Sequence, residues 1–212
     1  MNPEIPRPDL LFQRGPPTSS PNRSPAGAEA NIFISASTDW VDLLELTNRV
    51  SKRRDICFNQ LVLVVPTGNS AGIQNVDDLT RESVRRIALA GVNVPAGEYA
   101  NQTLSKLQLL KLLNDHGKIV RAADVRAALV LAERGEVDAA FVYSTDARHS
   151  HLVSEVQVFD RSLHAPIVTT VALLRTDVDN RAAALFFEFL LNEEAQTVFE
   201  SHGFDVVDSQ RE

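Results

Sequence analysis

Three short stretches carry residue types suited to holding a small anion. The first is Val94-Pro95-Ala96-Gly97-Glu98-Tyr99-Ala100, a turn that leads into a helix. Pro95 fixes its own φ, and Gly97 lets a backbone approach closely. Amides at such a helix start have no partner within the helix and lie at the positive end of its dipole. The second is Asp124-Val125-Arg126, where Asp124 reads as an N-cap and the amides behind it have the same character. The third is Tyr143, at the end of the apolar run Ala139–Tyr143. Ligands of open α/β sheets bind beyond the carboxyl ends of the strands, and a phenol there can donate to an oxyanion. Taken singly, each feature is common, since every α/β protein has helix caps and most strand-end tyrosines only pack.

Other chemistries find less to work with. The chain has no Gly-x-Ser-x-Gly elbow, no phosphate-loop lysine motif and no His-Glu-x-x-His, so it does not read as an enzyme. His149-Ser150-His151 has the types for a metal pair, but behind a strand in a polar stretch it reads as a solvated loop. His116, His164 and His202 share no obvious site. The one cysteine, Cys57, excludes an internal disulfide and reads as a small buried apolar side chain. A net charge of -7 without a basic run argues against nucleic acid as a partner. It leaves small anions open, because local dipoles rather than net charge decide their capture. No apolar stretch approaches the ~20 residues that span a bilayer, and the first residues have no apolar core of a secretory signal.

Positioning those stretches requires alternating strands and helices. Residues 1–29 hold Pro3, Pro6, Pro8, Pro16, Pro17, Pro21 and Pro25 and read as a disordered Pro/Ser-rich segment. From Asn31 the texture changes. Asn31–Ala36 reads as a strand and Thr38 as the cap of the helix after it. Leu61–Val65 is a continuous apolar run, the mark of a strand covered on both faces. Further strands are expected at Ile87–Gly91, Ile119–Val120, Ala139–Tyr143, Val156–Phe159 and Ile167–Leu174. Helices are expected over about 98–114, Val125–Arg134, Asp179–Leu191 and Glu193–Ser201. This alternation predicts an α/β fold with mainly parallel sheets.

The wording of several segments is more specific. Ile32-Phe33-Ile34-Ser35-Ala36-Ser37 before Trp40, Leu61-Val62-Leu63-Val64-Val65-Pro66, Val94-Pro95-Ala96-Gly97-x-Tyr99-Ala100, Asp124-Val125-Arg126-x-Ala128-Leu129, Val142-Tyr143-x-Thr145-Asp146-Ala147 and Ala195-Gln196-x-Val198-Phe199 stand in a consistent order. Over about residues 28–206 the chain resembles the molybdate-binding periplasmic proteins of ABC-type uptake systems. The resemblance implies a bilobal α/β fold of the type II periplasmic-binding-protein kind. Lobe I would comprise 30–65 and 169–212, and lobe II 66–168. It implies no cofactor but a ligand, molybdate or tungstate, received by the backbone amides of Ala96 and Val125 and the hydroxyl of Tyr143. It implies a membrane permease as partner, a monomeric state, and a place in the periplasm or cell envelope.

The chain departs from the pattern upstream of Asn31. The family's Ala-Ala-Ser and Gly-Ser-Ser turns, each carrying a serine ligand, have no counterpart there, so the first lobe is expected to be incomplete. A frame change or altered start would account for the abrupt switch near Ala28. Two of five expected donors would then be missing, and weak or no molybdate binding is expected. A degenerate, non-binding remnant and the ligand-sensing domain of a transcriptional regulator are the alternatives. Residues 1–30 are too proline-rich for the helix-turn-helix such a regulator carries.

Overall fold

A computed structural model describes residues 30–36, 38–176 and 180–206. The segment 1–29, expected to be disordered, lies outside them. The expected first strand is β1 (Ile32–Ser35), followed by α1 (Thr38–Leu46). Thr38, expected as the cap, is instead the first helical residue, and the position before it lies outside the described residues. Val41 and Leu44, three apart on one helix face, bury against Val50, Ala172 and Leu174. The next strand, β2 (Val50–Phe58), is not anticipated by the sequence. Its middle, Ser51-Lys52-Arg53-Arg54-Asp55, is charged, and only Val50, Ile56 and Cys57 are buried. Arg53 there reaches Asp42 at 2.6 Å and Glu45 at 2.8 Å on α1. Such exposed pairs contribute little, so the strand rests on its buried ends.

Leu61–Val65 forms the core of β3 (Leu61–Pro66), with every one of those five side chains at most 1% exposed. After a 3-10 turn at Val76–Thr80 come β4 (Ile87–Ala90), α2 (Pro95–Lys106) and α3 (Leu110–Asp115). The single helix expected over 98–114 is thus two helices. Gln108 has φ +60°, a left-handed conformation that an α-helix cannot carry through. Then follow β5 (Ile119–Ala122), α4 (Val125–Glu133), β6 (Ala139–Tyr143), the unanticipated short helix α5 (Ser144–Arg148) and β7 (Val153–Val158). The chain ends with β8 (Val168–Leu174), α6 (Arg181–Phe189), α7 (Glu193–Ser201) and β9 (Asp205–Val206).

The described residues divide into two compact units, those up to Ile56 with those of Thr169–Val198, and those of Cys57–Val168 with those from Phe199 on. In the first unit β1 pairs antiparallel with β8. In the second, the five-stranded sheet has the order β5-β4-β6-β3-β7. Here β4 is parallel to both β5 and β6, while β3 is antiparallel to both β6 and β7. The expectation of mainly parallel sheets is therefore corrected to a mixed sheet. A run buried on both faces reads the same whichever way its neighbours point.

Alternation along these strands separates two cores. Leu61, Leu63, Val65, Ile87, Leu89, Ala139 and Phe141 face Tyr99, Ala100 and Leu104 of α2 and Leu113 of α3. Val62, Val64, Ala88, Ala140 and Val142 face Ala128, Leu129 and Ala132 of α4. A slip of one residue would exchange the two sets, which fixes the register. Lys118, just before β5, is buried and donates to the carbonyls of Leu79 at 3.0 Å, Thr80 at 3.1 Å and Arg81 at 2.7 Å. These carbonyls close the 3-10 turn, the negative end of its dipole.

Candidate functional site

The topology places the three sequence-predicted stretches on one edge. Because β5, β4 and β6 are adjacent and parallel, their carboxyl ends lie side by side, with strand spacing of about 4.8 Å. From the end of β4 the chain enters α2 at Pro95; from the end of β5 it enters α4 at Val125; β6 ends on Tyr143. The two helices cover opposite faces of the sheet, so the connections leaving β4 and β5 part in opposite directions. This is the topological switch point, the crevice where open α/β sheets bind ligands.

The start of α2 leaves one amide to spare. Pro95 has no N–H. The amides of Gly97 and Glu98 both donate to Val94 O, at 2.8 and 3.0 Å, and that of Val94 donates to Gly91 O at 3.0 Å. Among the described residues the amide of Ala96 has no partner, although Ala96 is only 1% exposed. A buried donor without an acceptor is costly unless something else occupies it. Gly97 explains how this turn sits so low. A Cβ at this position would stand 2.5 Å from Ala90 O and 2.9 Å from Ala90 C, and would also strike Gly91 O. Only glycine lets the first turn of α2 rest on the end of β4.

At α4, Asp124 has extended backbone, φ -153°, and its carboxylate accepts from the amide of Ala127 at 2.8 Å. The amides of Val125 and Arg126 ahead of it have no partner among the described residues. Replacing Asp124 with Ala is expected to cost about 1 kcal/mol, the usual worth of an N-cap, read as a lower urea midpoint with an unchanged slope. An unchanged midpoint would show that the cap does not hold the helix start.

The Tyr143 side chain packs against the core that holds Tyr99, Ala100 and Leu104 of α2. Burial holds its phenol well above the ordinary range, and the neighbouring Tyr99, Asp146 and Glu98 push in the same direction. It therefore keeps its proton and remains a donor. Asp146 on α5 is also held above the usual carboxylate range, chiefly by burial, with Arg126 and His149 opposing the shift and Asp124 adding to it. Helix-start amides and a phenol that donates make an edge that suits an oxyanion.

Sequence reasoning missed Arg121, on β5. Its Nη1 donates to Ala90 O at 3.2 Å and its Nη2 to Asn101 Oδ1, on α2, at 2.7 Å. An arginine in a strand gives no local signal of such contacts. Elsewhere, His149 and His202 stack at 6.0 Å, and the Nδ1 of His149 lies 2.7 Å from Thr145 O. Among the described residues no group of three or more His, Cys, Asp or Glu side chains could hold a metal, and no helix is long and apolar enough to cross a membrane. Cys57 is buried.

Comparison with known proteins gives a consistent picture. A family model described as bacterial extracellular solute-binding protein matches residues 10–205, reaching further upstream than the motifs. The chain is 35% identical over 181 residues to the ABC transporter substrate-binding lipoprotein YvgL of Bacillus subtilis, covering 84% of this chain and 68% of that one. It is 31% identical over 207 residues to the molybdate-binding protein ModA of Haemophilus influenzae, covering 94% and 80%. A solved substrate-binding domain from Clostridium difficile, named for a molybdenum ABC transporter, is 33% identical and superimposes with a TM-score of 0.73 over 86% of this chain and 80% of that one.

Proposed function

This chain belongs to the bacterial extracellular solute-binding protein family, and we propose that its solute is a tetrahedral oxyanion, molybdate or tungstate. The observation that carries this reading is the buried amide of Ala96, without a partner among the described residues, beside the start of α4 and the protonated phenol of Tyr143, all on the carboxyl edge of β5-β4-β6. Amides of Ala96 and Val125 and the Tyr143 hydroxyl then donate to the anion. Helix dipoles stabilise its charge. The molybdate-binding relatives favour this class of solute. The protein works outside the cytoplasmic membrane as a monomer, without catalysis or a resident cofactor, and hands the anion to the permease of an ABC importer.

Calorimetric titration with molybdate, tungstate and sulfate tests the proposal. The first two should bind and sulfate, being smaller, should bind less. Removing only the phenol oxygen, in Tyr143→Phe, should weaken molybdate binding by about 10- to 100-fold, since a hydrogen bond to a charged group is worth about 1.5–3 kcal/mol. Unchanged affinity in this variant would remove Tyr143 from the donor set. A folded protein that gives no heat with any of the three oxyanions would overturn the assignment.

A further inference from the structure

Resting on the oxyanion reading, we propose that Arg121 is a positioning residue that sets the gap between the two helix starts and so the size of anion accepted. Its backbone belongs to β5, the strand that leads into α4. Its guanidinium crosses to the last carbonyl of β4, at Ala90, and to Asn101 on α2. One side chain thus ties together the strand before Val125, the strand before Ala96 and the helix that Ala96 opens. Ala90 O is held from two sides, by the first turn of α2 pressed close at Gly97 and by the Arg121 fork.

The geometry suits a brace better than a ligand. Arg121 lies on the α2 face of the sheet, since its neighbours Val120 and Ala122 pack on the α4 face. Its Nη1 and Nη2 each already donate to a protein oxygen. A planar guanidinium can hold a carbonyl and an amide oxygen at fixed separation, which an ammonium cannot do. A rigid gap excludes anions by size, because an ill-fitting oxyanion leaves some donors unmatched. A slack gap would adapt to the smaller ion.

The test combines titration with hydrogen exchange on the full chain. In Arg121→Gln the ratio of molybdate to sulfate affinity should fall about 10-fold or more, and amides 96–99 should exchange faster. Asn101→Ala should act in the same direction, and the double variant should add little to either. Arg121→Lys should restore the ratio only in part. If ratio and exchange are both unchanged in Arg121→Gln and Asn101→Ala, the brace is refuted. If the unsubstituted chain binds none of the oxyanions, the solute assignment falls by itself. Exchange at 96–99 still decides whether Arg121 holds the helix start: faster exchange supports it and unchanged exchange overturns it.

Discussion

Gly97→Ala is expected to abolish measurable oxyanion binding and to lower stability by about 3 kcal/mol, although it adds a single carbon. The carbon has nowhere to go. Its neighbours would be Ala90 O at 2.5 Å and Ala90 C at 2.9 Å, together with Gly91 O, all of them backbone. A side chain in its place could rotate away, but backbone at the end of a buried strand cannot. Relief requires the first turn of α2 to lift, which carries the Ala96 amide with it. Overpacking of this kind costs about 1–3 kcal/mol and occasionally more, and the rigid neighbours argue for the upper end. Gly68→Ala is the control, since nothing lies within 4 Å of its added carbon. Urea unfolding and calorimetry on both variants measure the two effects. Wild-type behaviour of Gly97→Ala would show that the helix start does not sit on β4.

Lys118→Met should destabilise the chain by about 3 kcal/mol while leaving the oxyanion donors in place. Three carbonyls, of Leu79, Thr80 and Arg81, converge on one ammonium in a site where the residue is 9% exposed. Methionine matches the stem but offers nothing to the oxygens. Each hydrogen bond to a charged group is worth about 1.5–3 kcal/mol, and some of the sum returns because a cation no longer has to be desolvated. The 3-10 turn then loses its closure. Thermal and urea unfolding report the loss; a variant as stable as the parent would mean that these carbonyls find water equally well.

How far the fold is legible in the sequence depends on how local its cause is. Leu61–Val65 and Ala139–Tyr143 announce themselves, because full burial demands unbroken apolar residues. Asp124 is equally plain, since its cap acts on an amide three residues on. The site stretches at Ala96, Val125 and Tyr143 are visible as strand ends and helix starts. Their assembly on one edge depends on strand order, which no single stretch contains. β2 is hidden because four of its nine positions are charged and its burial comes from its ends. The break between α2 and α3 is hidden because Leu107 and Leu109 continue the apolar spacing, while the residue between them turns the chain. Lys118 and Arg121 escape notice for another reason. Their partners lie about 20 to 39 residues away, and a lysine or arginine looks the same whether it meets water or a carbonyl.

All three candidate donors come from one uninterrupted stretch, β4 through β6, residues 87–143. Translation runs from the amino end at about 5–20 residues per second, so this stretch is synthesised seconds before β8 and the last helices. Its parallel pairings are expected to be slow, since Ile87 must meet Ile119, 32 residues on, and Ala139, 52 residues on, before those contacts reward it. The strand that flanks them, β3, is already synthesised by then and waits to pair with β6. The capture edge can therefore take shape while the carboxyl-terminal end of the chain is still being assembled.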